Sequence, residues 1–339
     1  MSKQKTAFVT GSAGFIGYWL CSALLDAGYA VVGLDSMSDY YDVGLKQARL
    51  DQLSAREGFV NYHAKLEDEA AVRAVFENHR PNVVVHLAGQ AGVRHSLKAP
   101  RDYVTANLVG TFNIMDCARE FGCDHLLMAS TSSVYGANTE MPYRETDKVD
   151  TQMSFYAATK KANEAMAHSY SHLHKIPTTM FRFFTVYGPW GRPDMAPYLF
   201  TSAILKGDPI KVYNHGNMQR DFTYVADLVE AIRRLIDAVP GEAAIAGDNL
   251  SPVAPYRVVN IGNAAPVKLG DFIDAVETAT GRKAERNYMD MQPGDVPATW
   301  ADTSLLTELT GFQPATNIKE GVQSYVDWFR SYYTDLEKA

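Results

Sequence analysis

Along the first half of the chain, short apolar runs rich in β-formers alternate with stretches of helical periodicity. The apolar runs are Thr6 to Thr10, Ala30 to Leu34, Phe59 to His63, Val83 to Leu87, His125 to Ala129 and Thr178 to Phe183. Helical patterns lie between most of them, among them Tyr18 to Ala27, Glu69 to Asn78 and Arg101 to Phe121. This alternation predicts a parallel sheet with helices on both faces, an α/β doubly wound fold. After about Tyr187 the alternation breaks. Pro and Gly cluster at Gly188 to Pro197, a strand pattern covers Ile210 to Tyr213 and a helical one Ala226 to Val239. A loop-like segment from Pro240 to Pro255 precedes a strand pattern at Arg257 to Ile261, and Lys319 to Tyr332 forms an amphipathic helix pattern. The reading is a first domain over residues 1–187, with segments near 221–238 and 256–262 returning to it. A smaller, discontinuous α/β domain is expected over 188–339. There is no internal repeat and no low-complexity tract.

Composition narrows the functional classes. The 339 residues suit one large α/β unit, or one with a smaller companion. An apolar share of 46% excludes wholesale disorder. Thirty-two basic and 39 acidic residues leave a net charge of −7, which disfavours nonspecific nucleic-acid binding. The cysteines Cys21, Cys117 and Cys123 are odd in number and lack metal-ligand spacing, so reduced thiols in a cytoplasmic protein are expected. The nine histidines form no ligand pair, and no metal is expected. No apolar run approaches the roughly 18 residues of a membrane span. The polar leader Met1 to Lys5 runs straight into the first strand, so no signal peptide is expected.

Candidate chemistry begins where the first strand meets Gly11-Ser-Ala-Gly14-Phe15-Ile16-Gly17. Glycines there permit a tight turn and close approach to a pyrophosphate. The following helix start offers free N–H groups and a positive dipole end. Asp35 ends the second strand, 18 residues after Gly17, where an acid accepts hydrogen bonds from ribose hydroxyls. It would repel a 2′-phosphate, and no basic residue follows until Lys46, so NAD is expected rather than NADP. The GxxGxxG spacing resembles the short-chain dehydrogenase/reductase family. So does Leu87-Ala88-Gly89-Gln90-Ala91 after the fourth strand, which resembles that family's cofactor-supporting turn. The resemblance implies a Rossmann domain whose NAD contacts include Leu66, Leu87, Ala88 and Gln90. Relatives often carry Asp-Leu where this chain has Lys65-Leu66, so the adenine contact is not implied at Lys65.

Tyr156-Ala-Ala-Thr-Lys160 puts a tyrosine and a lysine one helical turn apart. Tyrosine is a poor base at neutral pH because its reference pKa is about 10. A nearby ammonium favours the phenolate and would bring Tyr156 toward the working range of a general base. Lys160 is also expected on the nicotinamide ribose. A hydroxyl cluster, Thr131-Ser132-Ser133, follows the fifth strand, and ligands of such sheets bind beyond the carboxyl ends of strands. Matched to the epimerase pattern, Thr131 takes the position of the hydroxyl that assists proton transfer.

Four stretches resemble a narrower group, the extended nucleotide-sugar epimerases that act on uronic acids. They are DSMSDYYDVGLKQARL from Asp35, GQAGVRHS from Gly89, RFFTVYGPWGRP from Arg182 and QRDFTYVAD from Gln219. GDVPATWAD from Gly294 fits the same group, and the UDP-glucuronate 4-epimerases are most similar. His95 stands where that group is expected to carry Tyr. The resemblance implies an isomerase with a UDP-sugar substrate. Arg220 and Asp221 correspond to a UDP-binding pair, Arg192 to an anchor for phosphate or uronate, and Asp295 to a ribose or uracil contact. Arg94, Asn107, Ser132, Ser133 and Thr185 are implied pocket residues. The chemistry implied is removal of the sugar 4-hydroxyl proton by Tyr156 and hydride transfer from C4 to NAD. The 4-keto sugar then turns about its pyrophosphate linkage, and hydride returns to the other face.

Dehydratases and decarboxylases of the superfamily carry acidic residues where this chain has Thr131-Ser132-Ser133, which disfavours both. A UDP-glucose or UDP-N-acetylglucosamine 4-epimerase is the alternative. A non-catalytic NAD-binding regulator would be expected to lack Tyr156 or Lys160. The apolar stripes of Arg101 to Phe121 and Phe155 to Leu173 match helices that pair across a twofold axis in the family, so a homodimer is expected.

Overall fold

The structure is a computed structural model that describes residues 4–241, 244–292 and 295–334. Met1 to Lys3 of the polar leader, Glu242 and Ala243 of the loop-like segment, Gly294 of GDVPATWAD and the last five positions of the expected second domain lie outside the described residues.

The strands are β1 (Thr6–Thr10), β2 (Ala30–Asp35), β3 (Phe59–His63), β4 (Val83–His86), β5 (His125–Thr131), β6 (Thr178–Phe183) and β7 (Thr185–Tyr187). They continue as β8 (Ile210–Val212), β9 (Gln219–Tyr224), β10 (Tyr256–Ile261), β11 (Pro266–Lys268), β12 (Arg286–Tyr288) and β13 (Ala298–Thr299). The helices are α1 (Phe15–Asp26), α2 (Val43–Ser54), α3 (Glu69–His79), α4 (Val93–Lys98), α5 (Pro100–Tyr103) and α6 (Gly110–Phe121). After them come α7 (Phe155–His174), α8 (Ala196–Lys206), α9 (Val225–Leu235), α10 (Leu269–Thr280), α11 (Ser304–Thr310) and α12 (Ile318–Tyr332).

Seven strands form one parallel sheet in the order β10-β6-β5-β4-β1-β2-β3. Successive side chains alternate across a sheet, so each strand feeds two cores. Ala7 and Val9, Val83 and Val85, and Leu127 and Ala129 enter the core under α1 and α9. Phe8, Val84, Leu126 and Met128 enter the opposite one, under α3 and α6. Burial on both faces explains why these strands read as unbroken apolar runs. The fold is the expected doubly wound α/β sheet. Strand order reverses between β1 and β4, and the loops leaving their carboxyl ends open a crevice there.

The smaller sheet is built around β9, which pairs with β7, β11 and β13. A separate pair joins β8 and β12. Helices α8, α10 and α12 close a third core on them, with Phe222 stacked on Phe272 at 4.4 Å.

Three helices differ from the sequence expectation, the first being α9, which ends at Leu235 rather than Val239. Helix α1 begins at Phe15 rather than Tyr18. The single helix expected over Arg101 to Phe121 is three pieces: α5, a wider π turn at Val104–Val109, and α6. The wide turn presents Asn107, whose side chain is fixed by contacts outside the helix, as described below.

Candidate functional site

The glycine loop follows β1 directly. Gly11 has a left-handed φ of 76°, and a Cβ there would sit 3.1 Å from the Ala88 nitrogen. A Cβ on Gly17 would lie 1.9 Å from the Gly11 carbonyl oxygen, so only glycine lets α1 start this close to the turn. Gly14 precedes α1, and its N–H donates to the Gly11 carbonyl at 2.9 Å. The N–H groups of Phe15, Ile16 and Gly17 open α1, where a helix has no internal acceptors for them. Asp35 is buried at the end of β2; its carboxylate accepts from Ala13 N at 3.1 Å and from Met37 N at 2.8 Å. It therefore shapes the glycine loop and closes its own turn. These features fit a dinucleotide: a loop with no room for side chains, a free helix start and an acid at the second strand end.

The turn after β4 is tied to the same place. Ala88 N donates to Thr10 Oγ1 at 3.1 Å, directly after Leu87. Asn107 clamps Gln90 through two bonds, accepting from its N–H at 2.7 Å and donating to its carbonyl at 3.1 Å. Its amide also donates to Thr159 Oγ1 at 3.1 Å. Leu66 is buried, and its carbonyl accepts from Asn113. Lys65 is exposed and lies 4.0 Å from Glu67.

Helix α7 starts at Ser154, whose side chain caps Ala157 N at 3.2 Å. That start fixes the helical phase in which Tyr156 and Lys160 share a face. Lys160 is buried, its Nζ donates to the Ala129 carbonyl at 3.1 Å, and burial pulls its pKa down to about 8. Burial pushes the Tyr156 phenol up, while a hydrogen bond with Thr131 and the charge of Arg192 oppose it. The sequence expectation gives Lys160 a part in lowering this value; here its ammonium is engaged by the Ala129 carbonyl, and Thr131 and Arg192 act on the phenol. Thr131 Oγ1 also accepts from Ser133 N at 3.2 Å, which starts the short turn carrying Ser132 and Ser133. Thr131 pairs in register with Phe183, and Thr185 follows two residues on, at the same sheet end.

On the substrate side, Arg192 pairs with Asp194 through Nε at 2.9 Å and Nη2 at 2.5 Å. Tyr40 donates to Asp194 at 3.2 Å, and its ring lies 4.8 Å from that of His95. Arg220 donates to the Gln219 and Pro297 carbonyls, and the charge of Asp295 acts on it. Arg94 reaches Asp295 at 3.4 Å and lies over the Tyr213 ring. Thus Arg94, Arg220 and Asp295 form one group, while Arg192 lies with Asp194 and Tyr40 and its charge acts on Tyr156. Asp221 departs from the expected UDP-binding pair. It is fully buried and accepts from Asn263 N, Ala264 N, Ala301 N and Thr223 Oγ1. Its acceptor capacity is used in holding loops together.

Sequence reasoning passed over Tyr40, Arg49, Tyr103 and Asp194. Tyr103 is buried 6.0 Å from the Tyr156 ring and donates to the carbonyls of Ala91 and Gly92. Arg49 lies on α2, whose inward face also includes Lys46. A stripe of cations at helical spacing within DSMSDYYDVGLKQARL was the signal available.

Residues 7–262 match the NAD dependent epimerase/dehydratase family. The chain belongs to this family. A Rhizobium meliloti (strain 1021) protein named "Probable UDP-glucuronate 4-epimerase" is 52% identical over 330 residues, spanning 96% of this chain and 97% of that one. UDP-glucuronate 4-epimerase 4 of Arabidopsis thaliana is 41% identical over 339 residues, 98% of this chain and 77% of that one. Among solved structures, the Bacillus cereus UDP-glucuronic acid 4-epimerase in complex with UDP-glucuronic acid and NAD superposes with a TM-score of 0.87. It is 30% identical, covering 97% of this chain and 100% of that one.

Proposed function

We propose that this protein is an NAD-dependent UDP-glucuronate 4-epimerase, interconverting UDP-glucuronate and UDP-galacturonate. The observation that carries the reading is a cluster of hydroxyls without a carboxylate, Thr131-Ser132-Ser133, beside Tyr156 and within the field of Arg192. Relatives bearing that activity in their names span nearly the whole chain.

Tyr156 takes the proton of the sugar 4-hydroxyl, with Thr131 hydrogen-bonded to its phenol. Lys160 holds the nicotinamide ribose from its buried position. NAD, when bound, accepts and returns the C4 hydride. Gly11, Gly14, Phe15, Ile16 and Gly17 hold its pyrophosphate, Asp35 its ribose, and Leu66, Leu87, Ala88 and Gln90 line its remaining length. The dinucleotide portion is taken as the seven-stranded sheet with α9, which trims the expected bounds of 1–187 and 221–238, because β7 and β9 pair in the smaller sheet. The smaller portion contributes Arg192, Arg220 and Asp295 to the UDP-sugar, and Arg94 joins them. A 4-keto uronate is a β-keto acid and loses CO₂ readily. Ser132, Ser133 and Thr185 counter this by holding the carboxylate where its C–C bond cannot overlap the carbonyl π system. We further propose a cytoplasmic homodimer that pairs through α6 and α7.

The test compares kcat/KM for UDP-glucuronate and UDP-glucose under one condition, with products resolved by NMR. A carboxylate needs several donors to replace its hydration, and leaving them unpaired costs about 1–3 kcal/mol each. A preference of about two orders of magnitude or more for the uronate is expected. Equal values, or a preference for UDP-glucose, would replace this reading with a neutral-sugar 4-epimerase. CO₂ as the main product would make the enzyme a decarboxylase.

A further inference from the structure

Arg49 is completely buried in α2, a helix that carries none of the residues given a role above. Its guanidinium joins two loops. Nη1 donates to the carbonyl of Ala13, inside the glycine loop, at 3.0 Å. Nη2 donates to the carbonyl of Trp190, two residues before Arg192, at 2.6 Å. Nη1 also reaches Tyr41 Oη at 2.9 Å, and Nε is buried without a partner. Among the described residues no carboxylate pairs with Arg49. Burying a charge without an opposite one is expensive unless hydrogen bonds replace its hydration. Two backbone carbonyls from segments more than 170 residues apart in sequence are thus its main compensation.

The loop it grips is unusual in its own backbone. Trp190 has a φ of 64°, the left-handed region that a bulky residue seldom adopts. Such a conformation persists only where its surroundings impose it. Trp19 supplies a second hold, donating Nε1 to the Pro189 carbonyl at 2.9 Å. Consecutive carbonyls, Pro189 and Trp190, are therefore held by side chains of α1 and α2. Arg192 leaves this segment already turned toward Asp194.

We propose that Arg49 is a positioning residue for substrate binding: it fixes the loop 188–194, and with it Arg192, against the glycine loop. This rests on the reading of Arg192 as the anchor for the substrate's anionic group. The planar fork of arginine matches the task, because two rigidly spaced donors set the separation of two carbonyls. Lysine keeps the charge but offers one point donor on a flexible stem.

The test uses the full-length, NAD-loaded protein. Arg49→Lys is expected to raise KM for UDP-glucuronate about tenfold, kcat staying within about twofold and NAD content unchanged. Hydrogen exchange at residues 188–194 is expected to quicken in the same variant. In an Arg192→Gln background the same substitution should add less than about twofold in KM, since residues that act through one another are not additive. Trp19→Phe, which leaves the buried cation in place, should also quicken exchange in the loop and raise KM by about threefold; this decides the matter if Arg49→Lys fails to fold. Unchanged exchange, or equal KM effects of Arg49→Lys with and without Arg192, would overturn the proposal. Should the wild-type protein turn over no UDP-sugar, the epimerase reading falls, and loop exchange alone then decides whether Arg49 braces the loop.

Discussion

At the residue scale the site is governed by burial acting on two titrating groups. It raises the Tyr156 phenol and lowers the Lys160 ammonium to about 8, so both shifts favour neutral forms. Tyr156→Phe keeps the ring and removes the proton acceptor. Turnover is expected to fall by a factor of about 10² to 10⁴, with KM nearly unchanged; a steady-state comparison with the wild type checks this. The positive charge of Arg192 lowers the Tyr156 value. Removing that charge raises it, so a larger share of Tyr156 stays protonated at any given pH. Arg192→Gln is therefore expected to move the rising limb of the pH–kcat profile to higher pH. A limb that stays in place would separate Arg192 from the base. Much of this site was legible in the sequence. Tyr156 and Lys160 are marked by one-turn spacing and share a face of α7, whereas Thr131, assigned by resemblance, is hydrogen-bonded to the Tyr156 phenol. Asp221 was misread because its motif shows where it lies in the chain and not which backbone groups surround it.

At the element scale the sequence speaks clearly wherever a face is uniformly apolar. Strands β1 and β6 fall on their expected bounds because they are buried between two helical layers, while β3 does so as a half-exposed edge strand. Helix α2 was hidden because its buried side includes Lys46 and Arg49, so the apolar stripe is interrupted by charge. The break before α6 was hidden for another reason. Asn107 is engaged by Gln90 and Thr159, partners that no local pattern reveals. Strands β4 and β5 also carry buried histidines. Burial pushes His86 down to about 3 and His125 to about 4, from 6.5. Below pH 6.5 the unfolded chain takes up a proton at each that the folded chain refuses, so stability falls as pH falls. Each contributes up to about 1.4 kcal/mol per pH unit. Glu145, pushed up to about 7 by burial, acts in the opposite sense over the same window. The net expectation is a loss equal to about one histidine between pH 6.5 and 5, measured by urea unfolding. His125→Gln should flatten that dependence; an unaltered slope would show that His125 is not the group involved.

At the scale of the whole molecule, two properties follow. A reaction that returns its hydride leaves the cofactor as it found it, so release between turnovers serves no purpose. The purified protein is expected to contain NAD without supplementation, recovered by denaturation and enzymatic assay; recovery of NADP would contradict the role given to Asp35. The second property is association. Val104, Val109 and Phe112 around α6, and Phe155 and Leu173 on α7, are exposed apolar side chains. Phe112 meets Tyr170 edge-on at 6.2 Å, so the two helices present their apolar side chains close together. Light scattering at micromolar concentration is expected to give a dimer mass, and Phe112→Lys to shift it toward the monomer. A monomer mass for the wild type would leave this face unexplained.

The position of β10 in the main sheet has a consequence for how the protein is made. The strand beside β6 comes from Tyr256–Ile261, more than 70 residues later in the chain. On the ribosome, β6 emerges long before its neighbour. For that interval its edge is unpaired, a template for any other nascent chain. Domains fold as units while synthesis proceeds at about 5–20 residues per second, so the exposure lasts for several seconds. A translation pause between residues 190 and 255 would lengthen it. Slow synthesis over this stretch, harmless in many proteins, should here send more of the product into aggregates.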